Sequence, residues 1–308
     1  MKSKESQLAE VITPLANRAT GGFRDATECG NGPTKGSEFP LATEFGQGVS
    51  LINLVIGYQG YKVAGPITNE LHAGELCCLL GANGAGKSTL LRTLAAFQPP
   101  LEGEIKIDGR KLTEIPPRQL STMIGIVLTE RIKMGGITVR DMVAMGRSPY
   151  TNFWGRLTEE DNREVDKAMQ LVSITAFANR QISTLSDGER QKVMIAKALA
   201  QGTPIILLDE PTAFLDFPSK VEMMLLLGKL AHEMGKSIFL STHDLDLALQ
   251  TADRLWLLGK DMSLAVGTPR ELASELPRFF PSEHLQFDAQ ALRFNIRPLP
   301  LTLPEGRE

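Results

Sequence analysis

Gly81-Ala82-Asn83-Gly84-Ala85-Gly86-Lys87-Ser88-Thr89 is the stretch on which the fold turns. Just before it, Leu76 to Leu80 is an unbroken apolar run, which suits a strand buried on both faces. Just after it, the spacing predicts a helix over roughly Lys87 to Phe97. Glycines let the backbone between these two elements wrap closely around phosphate oxygens with its N–H groups turned inward. The helix aims the positive end of its dipole at the same oxygens. A glycine-rich turn without a ligand is the bland alternative, and the strand–loop–helix context argues against it. The stretch reads as a nucleotide site, with Lys87 on the β- and γ-phosphates and the Ser88 hydroxyl on Mg²⁺.

Working outward, three further apolar runs end in loop residues: Ile124 to Leu128, Ile205 to Leu208 and Ser237 to Leu240. Helical patterns lie between them, which predicts an α/β fold with a mainly parallel sheet. Leu51 to Ile56 and Glu104 to Ile107 read as short antiparallel strands on the N-terminal side. Val139 to Gln201 contains several amphipathic helices and no convincing strand, so it predicts a helical lobe. Residues 1–48 are rich in Gly, Thr, Glu and Pro, with one short amphipathic patch from Leu8 to Leu15, and read as a flexible extension. The expected organisation is this extension, a core over 49–284 with its helical subdomain at about 130–201, and a C-terminal tail over 285–308.

Composition narrows the function classes. At 308 residues the chain is long enough for about two domains or one large one. With 42% hydrophobic and 22% charged residues it is too apolar for general disorder. A net charge of -3 gives no basic excess, so nucleic acid is not an expected partner. Three cysteines, two of them adjacent at Cys77 and Cys78 inside an apolar run, are no disulfide framework. His72, His232, His243 and His284 are scattered, which suggests no metal cluster. No run reaches the ~18 apolar residues of a membrane span, and Met1-Lys-Ser-Lys-Glu5 lacks the apolar core of a secretory signal. Work at a membrane therefore requires partners.

The segment Ile205-Ile-Leu-Leu-Asp-Glu-Pro211 supplies the second chemical signal. Its apolar residues bury a strand, and Asp209 at the strand's end reaches the Mg²⁺ shell. Glu210 then lies where a carboxylate polarises a water attacking the γ-phosphate. The third signal is a pair: Leu185-Ser-Asp-Gly-Glu-Arg-Gln191 before this strand and Ser241-Thr-His-Asp244 after the next. A serine, a glycine and a helix from Glu189 onward make a second anion site.

In this order the motifs resemble the ATP-binding subunits of ABC transporters, over Val49 to about Leu258. The resemblance implies a P-loop NTPase core with an N-terminal antiparallel β subdomain and a helical subdomain. It implies that Leu185, Ser186, Asp187, Gly188 and Glu189 form the signature motif, with Asp187 and Glu189 departing from the usual Leu-Ser-Gly-Gly-Gln. That motif serves the γ-phosphate of the opposite subunit, so two chains sandwich two ATPs. His243 is then the switch histidine that contacts the γ-phosphate and orients Glu210 and its water. Asp216 belongs to the loop coupling the two ATP sites. Tyr58 matches the aromatic that stacks on adenine, with Tyr61 a nearby competitor. The family's usual Gln at the end of the Ile124–Leu128 strand is missing; Thr129 stands there, and Glu130 substitutes if the loop slips by one.

The resemblance further implies a homodimer, two transmembrane permease subunits, a separate substrate-binding protein, and a peripheral position on the cytoplasmic face of the inner membrane. Gly146-Arg-Ser-Pro-Tyr-Thr-Asn-Phe-Trp-Gly-Arg-Leu157 carries two open readings: aromatics packing the lobe's own core, or a patch gripping a permease helix. Followed by Thr158-Glu-Glu-Asp161, it looks like ATPases importing Fe(III)-siderophores, haem or cobalamin. Export or lipid traffic, or a non-transport ABC ATPase, are the alternatives. Only 122 residues separate Lys87 from Asp209, too few for the coiled-coil insert common in the last class.

Overall fold

Where an apolar run alternates between two covered faces, it folds as a central strand, and the computed structural model shows this along its main sheet. The structure describes residues 48–128, 136–151 and 154–297. Strands β1 (Val49–Tyr58) and β2 (Tyr61–Leu71) form an antiparallel hairpin whose turn, Gln59-Gly60, has positive φ at both positions, as primed hairpin turns require. β3 (Leu76–Gly81) follows, then helix α1 (Lys87–Leu94), β4 (Glu102–Ile107) and β5 (Arg110–Lys111). The order β2-β1-β4-β5 makes a four-stranded antiparallel sheet.

Helix α2 (Pro117–Met123) leads into β6 (Ile124–Val127). The helical lobe comes next, with α3 (Val139–Ala144), α4 (Glu159–Leu171) and α5 (Asp187–Ala200). The chain then alternates through β7 (Ile205–Asp209), α6 (Phe217–Met234), β8 (Ser237–Ser241), α7 (Leu245–Thr251), β9 (Arg254–Leu258) and β10 (Leu264–Gly267). Helix α8 (Leu276–Phe279) and the hairpin β11 (Leu285–Asp288) and β12 (Arg293–Ile296) complete the described chain. The main sheet has the order β10-β9-β3-β8-β7-β6 and is parallel except for the β9–β10 pair.

Two apolar clusters sandwich this sheet. Leu76, Cys78 and Leu80 of β3 face the helical side, while Cys77 and Leu79 face the cluster shared with β1, β4 and α1. The unbroken apolar run is thus one strand read from both faces. Burial pushes the Cys77 thiol up to about 12, so it packs as a small hydrophobe. In the helical lobe, Thr138 with Asp141 and Thr158 with Asp161 close capping boxes on α3 and α4. Buried Arg147 donates to Asp161 at 2.8 Å and to the Ala200 carbonyl at 2.8 Å, tying α4 to the end of α5.

Several sequence expectations shift. The helix expected to reach Phe97 ends at Leu94, because Ala96 takes a left-handed φ of 58°. β2, β9 and β10 lie outside the predicted strands. Within 285–308, expected as a tail, the described residues fold into the β11–β12 hairpin, whose Phe287 and Phe294 rings sit 4.9 Å apart and pack on the core. The extension over 1–48, with its Leu8–Leu15 patch, lies outside the described residues except for Gly48. Among the described residues no helix is long and apolar enough to cross a membrane.

Candidate active site

The parallel order places the ends of β3, β8 and β7 side by side, so the loops that follow them share one sheet edge. Ligands of open α/β sheets bind at this edge. The loop from Gly81 to Gly86 leaves β3, turns through an Ala85 N–H to Ala82 carbonyl bond, and enters α1 with Gly86 as N-cap. Gly86 has φ 106°, and a Cβ there would stand 2.5 Å from the Val63 side chain. Two independent constraints therefore demand glycine. Asn83, Gly84 and Ala85 complete the turn, with Ala85 buried, and Ser88 and Thr89 begin the helix behind Lys87. No side chain caps α1, and its first turn holds no acidic residue. Its N-terminal amides are left for an anion.

Lys87 is buried inside this loop, donating to the Gly81 carbonyl at 2.8 Å and the Ala82 carbonyl at 3.4 Å. Burial pulls its ammonium below the usual lysine range, and the carboxylates of Glu210 and Asp209 oppose that pull. Asp209 Oδ1 accepts from Ser88 Oγ at 3.2 Å and from Ser241 Oγ at 2.7 Å. These are hard oxygen donors of the kind that hold Mg²⁺ through one carboxylate and one hydroxyl. Among the described residues no group of three or more His, Cys, Asp or Glu gathers into a metal site.

Glu210 takes φ 49°, a left-handed conformation that costs a non-glycine residue about 1 kcal/mol or more. Its N–H donates to the Ser241 carbonyl at 3.2 Å and to Ser241 Oγ at 3.0 Å, which holds the strained turn. The turn carries the carboxylate to His243, whose Nε2 stands 2.6 Å from Glu210 Oε1. The structure thus brings Lys87, Ser88, Asp209, Glu210 and His243 together from three loops.

Tyr58 and Tyr61 face each other across the end of the β1–β2 hairpin, both largely exposed. Val63 and Ile56 of this hairpin, with Leu258 of β9, lie closest to the Gly86 position, so the turn end of the hairpin packs against the phosphate loop. Ser186 is the N-cap of α5, which begins at Asp187 rather than at Glu189. The pattern Ser-x-x-Glu was the available sequence signal for that start. Ser186 Oγ accepts from the Glu189 N–H at 3.2 Å, and Glu189 Oε2 accepts from the Ser186 N–H at 2.8 Å. Leu185 is buried, Asp187 pairs with Arg190 at 2.6 Å, and Gly188 lies against Leu215 and Ser219. Asp216 caps α6 by accepting from the Ser219 N–H at 3.2 Å. The Leu185–Glu189 segment and the Asp216 loop are therefore neighbours.

Thr129 and Glu130 lie outside the described residues. Of the two readings for 146–157, the described residues divide between them: the Tyr150 hydroxyl donates to the Gln201 carbonyl at 2.9 Å and its ring packs on Arg147, while Trp154 is 79% exposed. Sequence reasoning missed Ser241 as the partner of Asp209, and Thr212, Lys220 and Asp244, which join across the loops (below).

Residues 65–213 match the family described as ABC transporter. An uncharacterised ABC transporter ATP-binding protein of Methanocaldococcus jannaschii is 43% identical over 73% of this chain and 79% of its own length. The ferric enterobactin transport ATP-binding protein FepC of Escherichia coli is 36% identical over 82% of this chain and 93% of its own. Among solved structures, a dimeric ATP-binding cassette in a post-hydrolysis state with ADP and phosphate aligns at TM-score 0.61 and 29% identity, covering 71% of this chain and 98% of that one.

Proposed function

The chain belongs to the ABC transporter ATP-binding proteins, and from that premise we propose that it powers uptake of an Fe(III)-siderophore or a related metal chelate through separate membrane subunits. It is an ATPase of the importer type, and its site chemistry follows from its own residues. Lys87 and the free amides of α1 bind the β- and γ-phosphates, with Gly81 to Gly86 shaped around them. Ser88 and Asp209 would hold Mg²⁺, which neutralises charge on the phosphate oxygens when bound. Glu210 takes the proton of the water that attacks the γ-phosphorus, and the bond to the ADP oxygen breaks in line. His243 fixes the Glu210 carboxylate by its 2.6 Å contact and faces the γ-phosphate from the neighbouring loop.

The observation that carries this reading is the convergence of Glu210 and His243 beside Asp209 and the phosphate loop. Hydrolysis follows dimerisation, because the signature residues Leu185 to Glu189 sit on the helical lobe rather than among these contacts. Each chain supplies Ser186 and Gly188 to the partner's ATP, and Asp216 couples the two sites. Tyr58 stacks on adenine at the end of the hairpin flanking Gly86. The subunit sits peripherally on the cytoplasmic face of the membrane, against two permease subunits, and a separate binding protein delivers the chelate. Thr129, or Glu130 if the loop slips by one, takes the place of the usual Mg²⁺-contacting Gln. Substrate class rests on similarity to the ferric enterobactin protein.

The test is Glu210→Gln in the complex reconstituted with its copurifying membrane subunits. ATP turnover should fall at least about a hundredfold, while ATP binding persists. Undiminished hydrolysis removes Glu210 from this role. Uptake assays with ferric catecholate, ferric hydroxamate, haem and cobalamin then decide the cargo.

A further inference from the structure

Asp244 follows the histidine and is the N-cap of α7, yet it makes no cap bond. Aspartate is among the best N-cap residues because its carboxylate takes an orphan helix amide, and Asp216 does this on α6 in the same molecule. Asp244 instead sends its carboxylate away from its own helix. One oxygen accepts from Thr212 Oγ1 at 2.9 Å, and the other accepts from Lys220 Nζ at 2.9 Å. Its backbone N–H donates to Thr242 Oγ1 at 3.0 Å, and Thr242 Oγ1 lies 3.4 Å from Thr212 Oγ1. Thr212 and Thr242 are both almost fully buried.

Four residues from three segments thus close one network that includes both chain neighbours of His243, Thr242 and Asp244. Thr212 lies two residues beyond Glu210, and Lys220 lies in the early turns of α6, its N–H bonded to the Asp216 carbonyl at 3.0 Å. A lysine this close to a helix N-terminus stands at the end where cations are disfavoured, so the local helix gives no reason for it. Its counter-charge comes from Asp244, 24 residues away in sequence.

We propose that Asp244 and Lys220 form a strut that positions His243 against Glu210 and ties that contact to the start of the Asp216 helix. Asp244 and Lys220 are positioning residues, since neither touches Glu210 or the phosphate loop in the contacts described. The strut gives the Asp216 loop a direct mechanical path to the histidine within one chain: α6 moves Lys220, Lys220 moves Asp244, and Asp244 is adjacent to His243. The proposal rests on the reading of Glu210 and His243 as the hydrolytic pair.

The test uses the full chain, with steady-state ATP hydrolysis measured beside binding of trinitrophenyl-ATP. Lys220→Met and Asp244→Asn should each lower kcat by about tenfold, the scale of a small misplacement of a catalytic group, with nucleotide affinity and KM within about twofold of wild type. Lys220→Arg keeps a cation in reach of the carboxylate and should recover most of the lost rate. Unchanged kcat in both variants overturns the strut, and so does a fall in kcat matched by an equal loss of nucleotide binding. Failure of Lys220→Arg to recover rate where Lys220→Met loses it also overturns the charge-based account. Glu210→Gln run in parallel separates the premises: if it still hydrolyses ATP the hydrolytic reading fails, whereas a dead Glu210→Gln beside Lys220→Met and Asp244→Asn that both retain the wild-type rate fails the strut alone.

Discussion

Helices α1 and α5 are the two N-termini that the proposed mechanism assigns to phosphate, and they are prepared in opposite ways. α1 starts on a glycine with no side-chain cap and no acidic residue in its first turn. Its orphan amides have no competitor inside the chain. α5 starts on Ser186 inside a closed capping box, with Asp187 and Glu189 in its first turn. The Ser186 hydroxyl and both ends of the box are already bonded to one another. The first site is built to receive an anion at once, while the second, on the proposed trans reading, exchanges an internal bond for one to the partner's γ-phosphate. On the proposed reading, that asymmetry lets the single chain bind nucleotide and leaves dimer closure to complete the site.

The largest expected effect breaks the first site. Gly86→Ala places a Cβ 2.5 Å from Val63 at φ 106°, so it should lower unfolding stability by about 2–3 kcal/mol and abolish nucleotide binding. The same change at Gly188 meets only Leu215 and Ser219 at 3.8 Å, and alanine is the better helix former there by roughly 0.5–1 kcal/mol. Chemical denaturation of the pair should move in opposite directions. Equal destabilisation by the two would erase the contrast between a shaped loop and a plain helix start.

Ser186→Ala is the intermediate case. Losing the cap should cost about 1 kcal/mol, read as a lower denaturation midpoint, with trinitrophenyl-ATP binding to the monomer unchanged. ATP-driven dimerisation, followed by light scattering, should fall because the trans contact is gone. Weakened monomer binding would mean that α5 serves the nucleotide of its own chain.

Much of the first site was legible because its signals are local. Gly81 to Thr89 sits within one strand–loop–helix unit, and the apolar runs of β3, β7 and β8 announce buried parallel strands without reference to anything distant. β2 was not legible, since Tyr61 to Leu71 is largely polar or exposed and broken by Gly65-Pro66. β9 and β10 carry short apolar runs, Leu255 to Leu258 and Leu264 to Val266, each ending at a glycine, so they were legible although outside the predicted strands. The 2.6 Å meeting of His243 and Glu210 depends on the strained φ of Glu210, which no residue pattern encodes. The Asp244–Lys220 pair was invisible for a similar reason: at a separation of 24 residues it fits no helical or strand period. At α5 the Asp187-Gly188 pair reads as loop and hid a capping box that the Ser-x-x-Glu spacing announces.

The smallest effect tests whether the closed state of α5 depends on charge. Backbone hydrogen bonding from Ser186, then the Ser186 hydroxyl and Arg180, holds the Glu189 carboxyl below the usual carboxylate range. A group whose pKa is lower folded than unfolded stabilises the fold at pH values above its unfolded pKa, and loses that contribution as pH falls through the folded value. Glu189→Gln keeps an acceptor for the Ser186 N–H but has no charge to lose. Its stability deficit should be a few tenths of a kcal/mol near neutral pH, small because the side chain is partly solvated, and should shrink toward zero on acidification. Thermal unfolding of both proteins across that range reads the difference directly, and a deficit independent of pH would show that the box is held by geometry alone. At neutral pH the same variant removes a negative charge from the surface proposed to meet the partner's γ-phosphate, so ATP-driven dimerisation should strengthen slightly even as the isolated chain weakens. Opposite signs in the two measurements are what a cap doubling as an anion site requires, because the carboxylate that closes the helix end is also what the incoming phosphate must overcome.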